Sequence, residues 1–338
     1  MLMLASHDPV DHVLPHRFFK LLDFNFNFGV EKIPLLNIDF GEPQLHFTNH
    51  LLMTLVAAGL CFVVFWRVAR PYARAGPEPQ APRGTANLFE AMLQFIREDV
   101  ARPVLAHRTD AFMPFLWTMF FFILFCNLLG MIPLDSIVYL LSGRTVQHIG
   151  GTATGNLAVT GGLAICAFFA IHVSGTRAVY FGLREGTYGH HHPEPGESHP
   201  PRGASAAGAA VKAFPLYIWN FAPHVFAPGP DAGMTTKLLL TVMDFFMWVF
   251  LLVLEFIGAL IKPFALMIRL FANMIAGHIV LASILMLIFT IGKYAVGFAS
   301  AFGCLFISCL ELFVAFLQAY IFVFLTTLFI GAAVEPEH

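Results

Sequence analysis

The residues of this chain that have chemistry to offer are polar groups set singly into apolar helical sequence. The stretch "PFALMIRLFANMIAGH", residues 263 to 278, carries Arg269 in its middle, Asn273 four positions later and His278 at its end. Between Tyr294 and Val334 the single charged side chain is Glu311, with Gln318 seven positions beyond it. An ionisable group inside a membrane is costly, and is kept where it faces a partner charge, a cavity or an ion path. Snorkelling to the headgroups is the competing reading of Arg269, and its apolar flanks make that escape long. Imidazole titrates near neutral pH and a neighbouring carboxylate tunes it. His278 with Glu311 therefore has the composition of a proton relay, against the plainer reading of a satisfied structural pair in a helix bundle.

Spacing brings these groups together. Glu255, Lys262 and Arg269 recur every seven residues, as do Glu311 and Gln318, so each set lies near one stripe of its helix. A turn at "GKY", 292 to 294, makes an antiparallel hairpin that sets Arg269 opposite Gln318 and His278 opposite Glu311. Polar groups that converge satisfy one another, whereas scattered ones each carry a desolvation penalty.

The elements that position them are membrane helices. Of 338 residues 58% are apolar and 12% charged, against roughly 25% charged in soluble domains, which marks an integral membrane protein. A net charge of −2 without a dense basic run gives no grip on nucleic acid. A bilayer core about 30 Å thick needs roughly 20 apolar helical residues. Five spans qualify: 50–66, 111–134, 156–173, one from Leu238 to about Gly292 with interruptions, and Tyr294 to Val334. The last covers roughly 41 residues, a helix of about 62 Å, twice the bilayer core, so the final two helices are expected as a steeply tilted hairpin shaped by a packing partner. Segment 87–107 has Leu88, Met92, Phe95 and Ile96 at helical spacing beside Glu90, Arg97 and Asp99, the pattern of an interfacial amphipathic helix.

Basic residues orient the chain. Arg67, Arg70, Arg74 and Arg83 follow the first span and Arg97, Arg102 and Arg108 precede the second, while the loop 135–155 has only Arg144. This places the amino terminus outside and the carboxyl terminus in the cytoplasm, and puts Glu255 near the cytoplasmic end of the fourth span, with neutralisation by Lys262 as its plainer reading. The expected organisation is an extracytoplasmic segment 1–48, three transmembrane helices with the interfacial helix over 49–181, a Gly/Pro/His-rich cytoplasmic loop 182–237, and the hairpin 238–338. Residues 182–212 read as flexible linker. His190, His191, His192 and His199 there have no flanking structure to fix a metal. The five cysteines show no CxxC spacing and read as small buried hydrophobes. His50 and His172 stand alone near span ends and read as structural or interfacial. The opening "MLMLASHDPV" lacks the features of a cleavable leader, and no motif calls for a metal or cofactor.

"LIKPFALMIRLFANMIAGH" followed by "LELFVAFLQAYIFVFLTTLF" resembles subunit a of the F-type ATP synthase, with weaker support from "NLLGMIP", 127–133, "NLAVT", 156–160, and Glu255 in "LEFIGALIKP". The resemblance is strong over about the last 90 residues. It implies a non-catalytic subunit in a bacterial inner membrane, partnered by a ring of c subunits, peripheral-stalk b subunits and the other ATP synthase subunits. It further implies that Arg269 faces the carboxylate of each passing c subunit, that His278 and Glu311 belong to the outer half-channel and Glu255 to the cytoplasmic one. Asn273 and Gln318 would hold water or orient the arginine. Some family members have the acid and the imidazole exchanged between the positions of His278 and Glu311, and many have an acid just before the equivalent of Asn156, where Gly155 stands here. A haem-bearing respiratory subunit is the first rival, and no span has the two histidines that haem ligation requires. A proton-coupled secondary transporter is the second, and no internal repeat is present.

Overall fold

Backbone groups in a bilayer have no water to bond, so apolar sequence of this length satisfies them internally as helix. The computed structural model is helical through every apolar span it describes. It describes residues 49–74, 84–132, 152–185, 204–222, 234–291 and 294–334, together with four two-residue strands. Those strands form two antiparallel pairs: β1 (Phe24–Asn25) with β4 (Gln44–Leu45), and β2 (Lys32–Ile33) with β3 (Ile38–Asp39).

The helices are α1 (Asn49–Arg74), α2 (Thr85–Phe95), α3 (Arg102–Leu105), α4 (Thr109–Met131), α5 (Leu157–Glu185), α6 (Ala206–Trp219), α7 (Met234–Ile291) and α8 (Tyr294–Val334). Among the described residues, five stretches are long and apolar enough to cross a membrane: His50–Arg70, Thr85–Met131, Leu157–Glu185, Leu238–Ile284 and Gly297–Val334. The chain is an all-α membrane protein with five candidate crossings, as its composition requires.

Several bounds differ from the sequence reading. α1 continues to Arg74, beyond Arg67, because arginine is a good helix former and ends only the apolar depth, not the helix. α7 is one helix of 58 residues, with Pro263 inside it and none of the expected interruptions. The loop expected over 182–237 contains a helix: α6 starts after Ser205, whose hydroxyl accepts a capping hydrogen bond from the Gly208 N–H at 3.3 Å. The histidine-rich stretch 190–199 lies outside the described residues. Segment 87–107 is helical, as α2, a wider turn over Ile96–Ala101, and α3. Ala106, at φ 44°, then separates it from α4. Its two arginines are paired locally, Arg97 with Asp110 at 2.8 Å and Arg102 with Glu98.

The chain divides into two units. The first comprises residues 1–96, 113–161 and 267–323. Its core is built on Phe121, fully buried and in contact with the rings of Phe65, Phe89, Phe120 and Phe125. The second comprises 97–112, 162–266 and 324–338, and has a cluster of Val179, Ala213 and Tyr217 with Tyr180, Leu183, Leu216 and Phe221 around it.

Candidate functional site

In the first unit the last part of α7 packs against α8, and two of the isolated polar residues meet along their contact. The Asn273 Nδ2 donates to Gln318 Oε1 at 2.8 Å. Gln318 is 2% exposed, and its own Nε2 has no hydrogen-bond partner among the described residues. The residue bonded to Gln318 is therefore Asn273, one helical turn beyond the expected Arg269, whereas Glu311 lies beside Gly277, next to its expected partner His278. Arg269 is exposed, and no described residue offers it an ion pair or hydrogen bond.

Glu311 packs against Gly277. A Cβ built on Gly277 would stand 3.0 Å from Glu311 Cδ and 3.1 Å from its Cγ, so only glycine leaves this carboxylate its place. The neighbouring His278 is close enough to interact with Glu311 electrostatically, yet it makes no ion pair with it. Both imidazole nitrogens are engaged elsewhere. Nδ1 lies 2.8 Å from the Met274 carbonyl, one turn back on α7. Nε2 lies 3.0 Å from the Gly130 carbonyl and 3.0 Å from Thr152 Oγ1. A carbonyl oxygen only accepts, so a doubly protonated ring donates to both carbonyls; a ring with its proton on Nδ1 alone instead accepts at Nε2 from the threonine hydroxyl. The surroundings of His278 therefore satisfy it both with and without the second proton.

Thr152 was not among the residues singled out from sequence. It sits just before a 3₁₀ turn, Ala153–Gly155, that three helices hold in place. His50 of α1, 2% exposed, donates from Nδ1 to the Thr152 carbonyl at 3.0 Å. Thr154 donates to Asn127 Oδ1 at 2.8 Å, and Asn127 of α4 donates onward to the Ala315 carbonyl of α8 at 3.3 Å. Gly130 is required where the turn meets α4: a Cβ there would stand 2.7 Å from Thr152 Cβ. Two signals for this clasp were present in the sequence. Asn127 and Gly130 both belong to "NLLGMIP", and Thr152 and Thr154 stand in the "TATGN" run that had drawn notice only for the missing acid at Gly155.

Glu255 belongs to the second unit. Its Oε1 lies 3.9 Å from Lys262 Nζ, with both side chains near half exposed, and Lys262 stands over the Phe329 ring at 5.2 Å. An ion pair this long and this exposed contributes little to stability, so the pair fixes no geometry tightly. Among the described residues no group of His, Cys, Asp and Glu side chains has the arrangement of a metal site.

A family model described as the ATP synthase A chain matches residues 51–193 and 220–331. ATP synthase subunit a of Chloroherpeton thalassium is 36% identical over 332 residues, which cover 98% of this chain and 79% of that protein. ATP synthase subunit a 2 of Chlorobium luteolum is 33% identical over 342 residues, covering 98% and 80%. A more distant relative, ATP synthase subunit a of Anaeromyxobacter dehalogenans, is 32% identical over 297 residues, covering 88% and 60%. With both stretches of apolar helix that carry the site inside the matched regions, the chain belongs to the ATP synthase A-chain family.

Proposed function

We propose that this chain is the proton-conducting stator of a rotary ATP synthase in a bacterial inner membrane. Arg269 faces the carboxylate of each passing c subunit, and two offset aqueous half-channels lead to that meeting point from opposite sides. The chain is a membrane subunit that works with the other subunits of its complex; the c ring and the peripheral-stalk b subunits are the partners this reading requires. Its amino terminus is outside and its carboxyl terminus cytoplasmic.

The observation that carries the reading is the state of Arg269. A guanidinium keeps its charge, and this one is exposed on its helix with no counter-charge among the described residues. A charge in apolar sequence with no partner among the described residues of its own chain is suited to a partner on another chain. At about 4 Å, and an effective dielectric near 20, its attraction for a carboxylate is roughly 4 kcal/mol. That favours the ionised carboxylate at the arginine and the neutral acid wherever the ring faces lipid. Because arginine does not release its proton, it also blocks a direct leak between the two half-channels.

The remaining residues take roles on either side. His278 and Glu311 form the outer half-channel, where an imidazole with partners in both protonation states and a carboxylate held against Gly277 pass protons inward. Asn273 and Gln318 give neutral hydrogen-bonding groups beside them. Glu255 serves the cytoplasmic half-channel. Arg269→Ala in the assembled complex tests the reading. ATP synthesis and ATP-driven proton pumping in liposomes are expected to vanish while assembly persists, and synthesis at the normal rate would refute the role.

A further inference from the structure

Helix α6 lies in residues 194–219, between the two stretches that the family model matches. It is nonetheless seated in the second unit by specific contacts. The Tyr217 hydroxyl is 2.9 Å from His172 Nδ1 on α5. The Tyr217 ring fills a notch opened by Gly175, where a Cβ would stand 3.0 Å from Tyr217 Cζ and 2.9 Å from the Ala333 carbonyl. At the end of α6 the Trp219 carbonyl accepts from Trp248 Nε1 at 3.1 Å, with the two indoles 4.8 Å apart. Trp248 stands seven residues before Glu255, which stands seven before Lys262, so all three share a stripe of α7. The end of α6 is therefore docked on the face of α7 that carries the Glu255–Lys262 pair.

We propose that α6 adds a phenol–imidazole pair, Tyr217 with His172, to the cytoplasmic half-channel, where Tyr217 is a positioning residue for Glu255. The inference rests on the assignment of Glu255 to that half-channel. Two features favour a functional seat over a merely adhesive one. The ring itself is packed by the glycine notch and the surrounding apolar cluster, and the hydroxyl adds a polar contact to His172. Glu255 is also close enough to act on the phenol: burial first, and then the Glu255 charge, push Tyr217 up to about 12. With His172 donating from Nδ1 to the phenol oxygen, the single phenol proton is left to steer a carboxylate or the water beside it. The titratable groups brought together are His172 from α5, Tyr217 from α6, and Glu255 and Lys262 from α7.

The test uses the assembled complex in liposomes with Tyr217→Phe, Glu255→Gln and the double variant. Phenylalanine keeps the ring in its notch, so assembly is expected to be unchanged. Tyr217→Phe is expected to slow proton flux by about tenfold, the scale of one hydrogen bond to a charged group, and to alter the dependence of flux on cytoplasmic-side pH. The double variant is expected to be no slower than Glu255→Gln alone. Wild-type flux and pH profile in Tyr217→Phe, with Glu255→Gln slowed, would overturn the proposal and leave the role of Glu255 standing. Wild-type flux in Glu255→Gln would instead remove the assignment of Glu255, and the proposal with it. If Tyr217→Phe assembles poorly, His172→Gln in the otherwise intact chain, which keeps a hydrogen-bonding side chain beside the phenol, is expected to assemble normally with an altered pH profile; a normal profile there overturns the proposal equally.

Discussion

Replacing Gly277 by alanine adds one carbon atom at the most crowded point of the proposed outer half-channel. The new Cβ would stand 3.0 Å from Glu311 Cδ and 3.1 Å from Cγ, with a carboxylate oxygen nearer still. Carbon atoms rest about 3.5 to 4.0 Å apart, so the carboxyl group must retreat by roughly 0.5 to 1 Å. Two effects on stability then nearly cancel. Holding a side chain off its rotamer costs about 0.5 to 1.5 kcal/mol, while alanine in place of glycine inside a helix contributes roughly 1 kcal/mol. Assembly should survive, with the carboxylate moved. A displacement of about 1 Å at reacting groups costs up to roughly 100-fold in rate, so proton flux is expected to fall by about tenfold or more. The measurement is ATP-driven acidification of liposomes holding the assembled complex, normalised to the amount of this chain present. Adding Glu311→Asp to Gly277→Ala shortens the side chain by one methylene and should recover much of the flux that either change loses alone. Undiminished flux in Gly277→Ala, or a double variant slower than both single ones, would refute the placement of Glu311 as functional.

Three further outcomes follow from the same geometry. Asn273→Leu leaves the buried Gln318 carboxamide without the hydrogen bond to its oxygen; a loss of about 1 to 3 kcal/mol is expected, seen as a lower thermal midpoint of the assembled membrane sector. Gly175→Ala drives a carbon into the Tyr217 ring and the Ala333 carbonyl, costing about 1 to 3 kcal/mol and making α6 more susceptible to limited proteolysis. The Tyr217 phenol, raised from 10.0 to about 12, binds its proton more tightly folded than unfolded, so its contribution to stability is complete below pH 10 and is lost as the pH climbs toward 12. A phenolate absorbance titration of the wild type minus that of Tyr217→Phe should show the late step.

Which parts were legible from sequence follows from which forces decide them. Tyr294–Val334 was readable to the residue because charge ends it on both sides, Lys293 before and Glu335 after. The membrane class and the family were readable because desolvation leaves few places for a charge, which makes Arg269 and Glu311 conspicuous. The helix ends beyond Arg67 and around Pro263 were not, since hydropathy reports where lipid ends and backbone hydrogen bonding decides where helix ends. α6 was hidden by its Gly/Pro/Ala-rich approach, although Ser205 was available as a capping residue.

The site shows the same division. Facing polar residues on a hairpin can be paired from numbering alone only to within about a turn, which is why Asn273, and not Arg269, meets Gln318. The partners of His278 were out of reach of that reasoning: Gly130 and Thr152 come from elements 148 and 126 residues away in the chain. The haem-protein reading rested on histidine content and multi-spanning architecture and the secondary-transporter reading on architecture, and the family match gives that architecture its own account.

The role of Arg269 depends on what stands opposite its guanidinium. The most direct measurement is a density map of the assembled membrane sector with the c ring in place, at a resolution that shows side chains. The expected result is Arg269 directed at the ring, about 4 Å from a c-subunit carboxylate at the distance assumed for the attraction above. A map with Arg269 turned to headgroup water, or folded back onto a carboxylate of its own chain out of reach of the ring, would contradict the account.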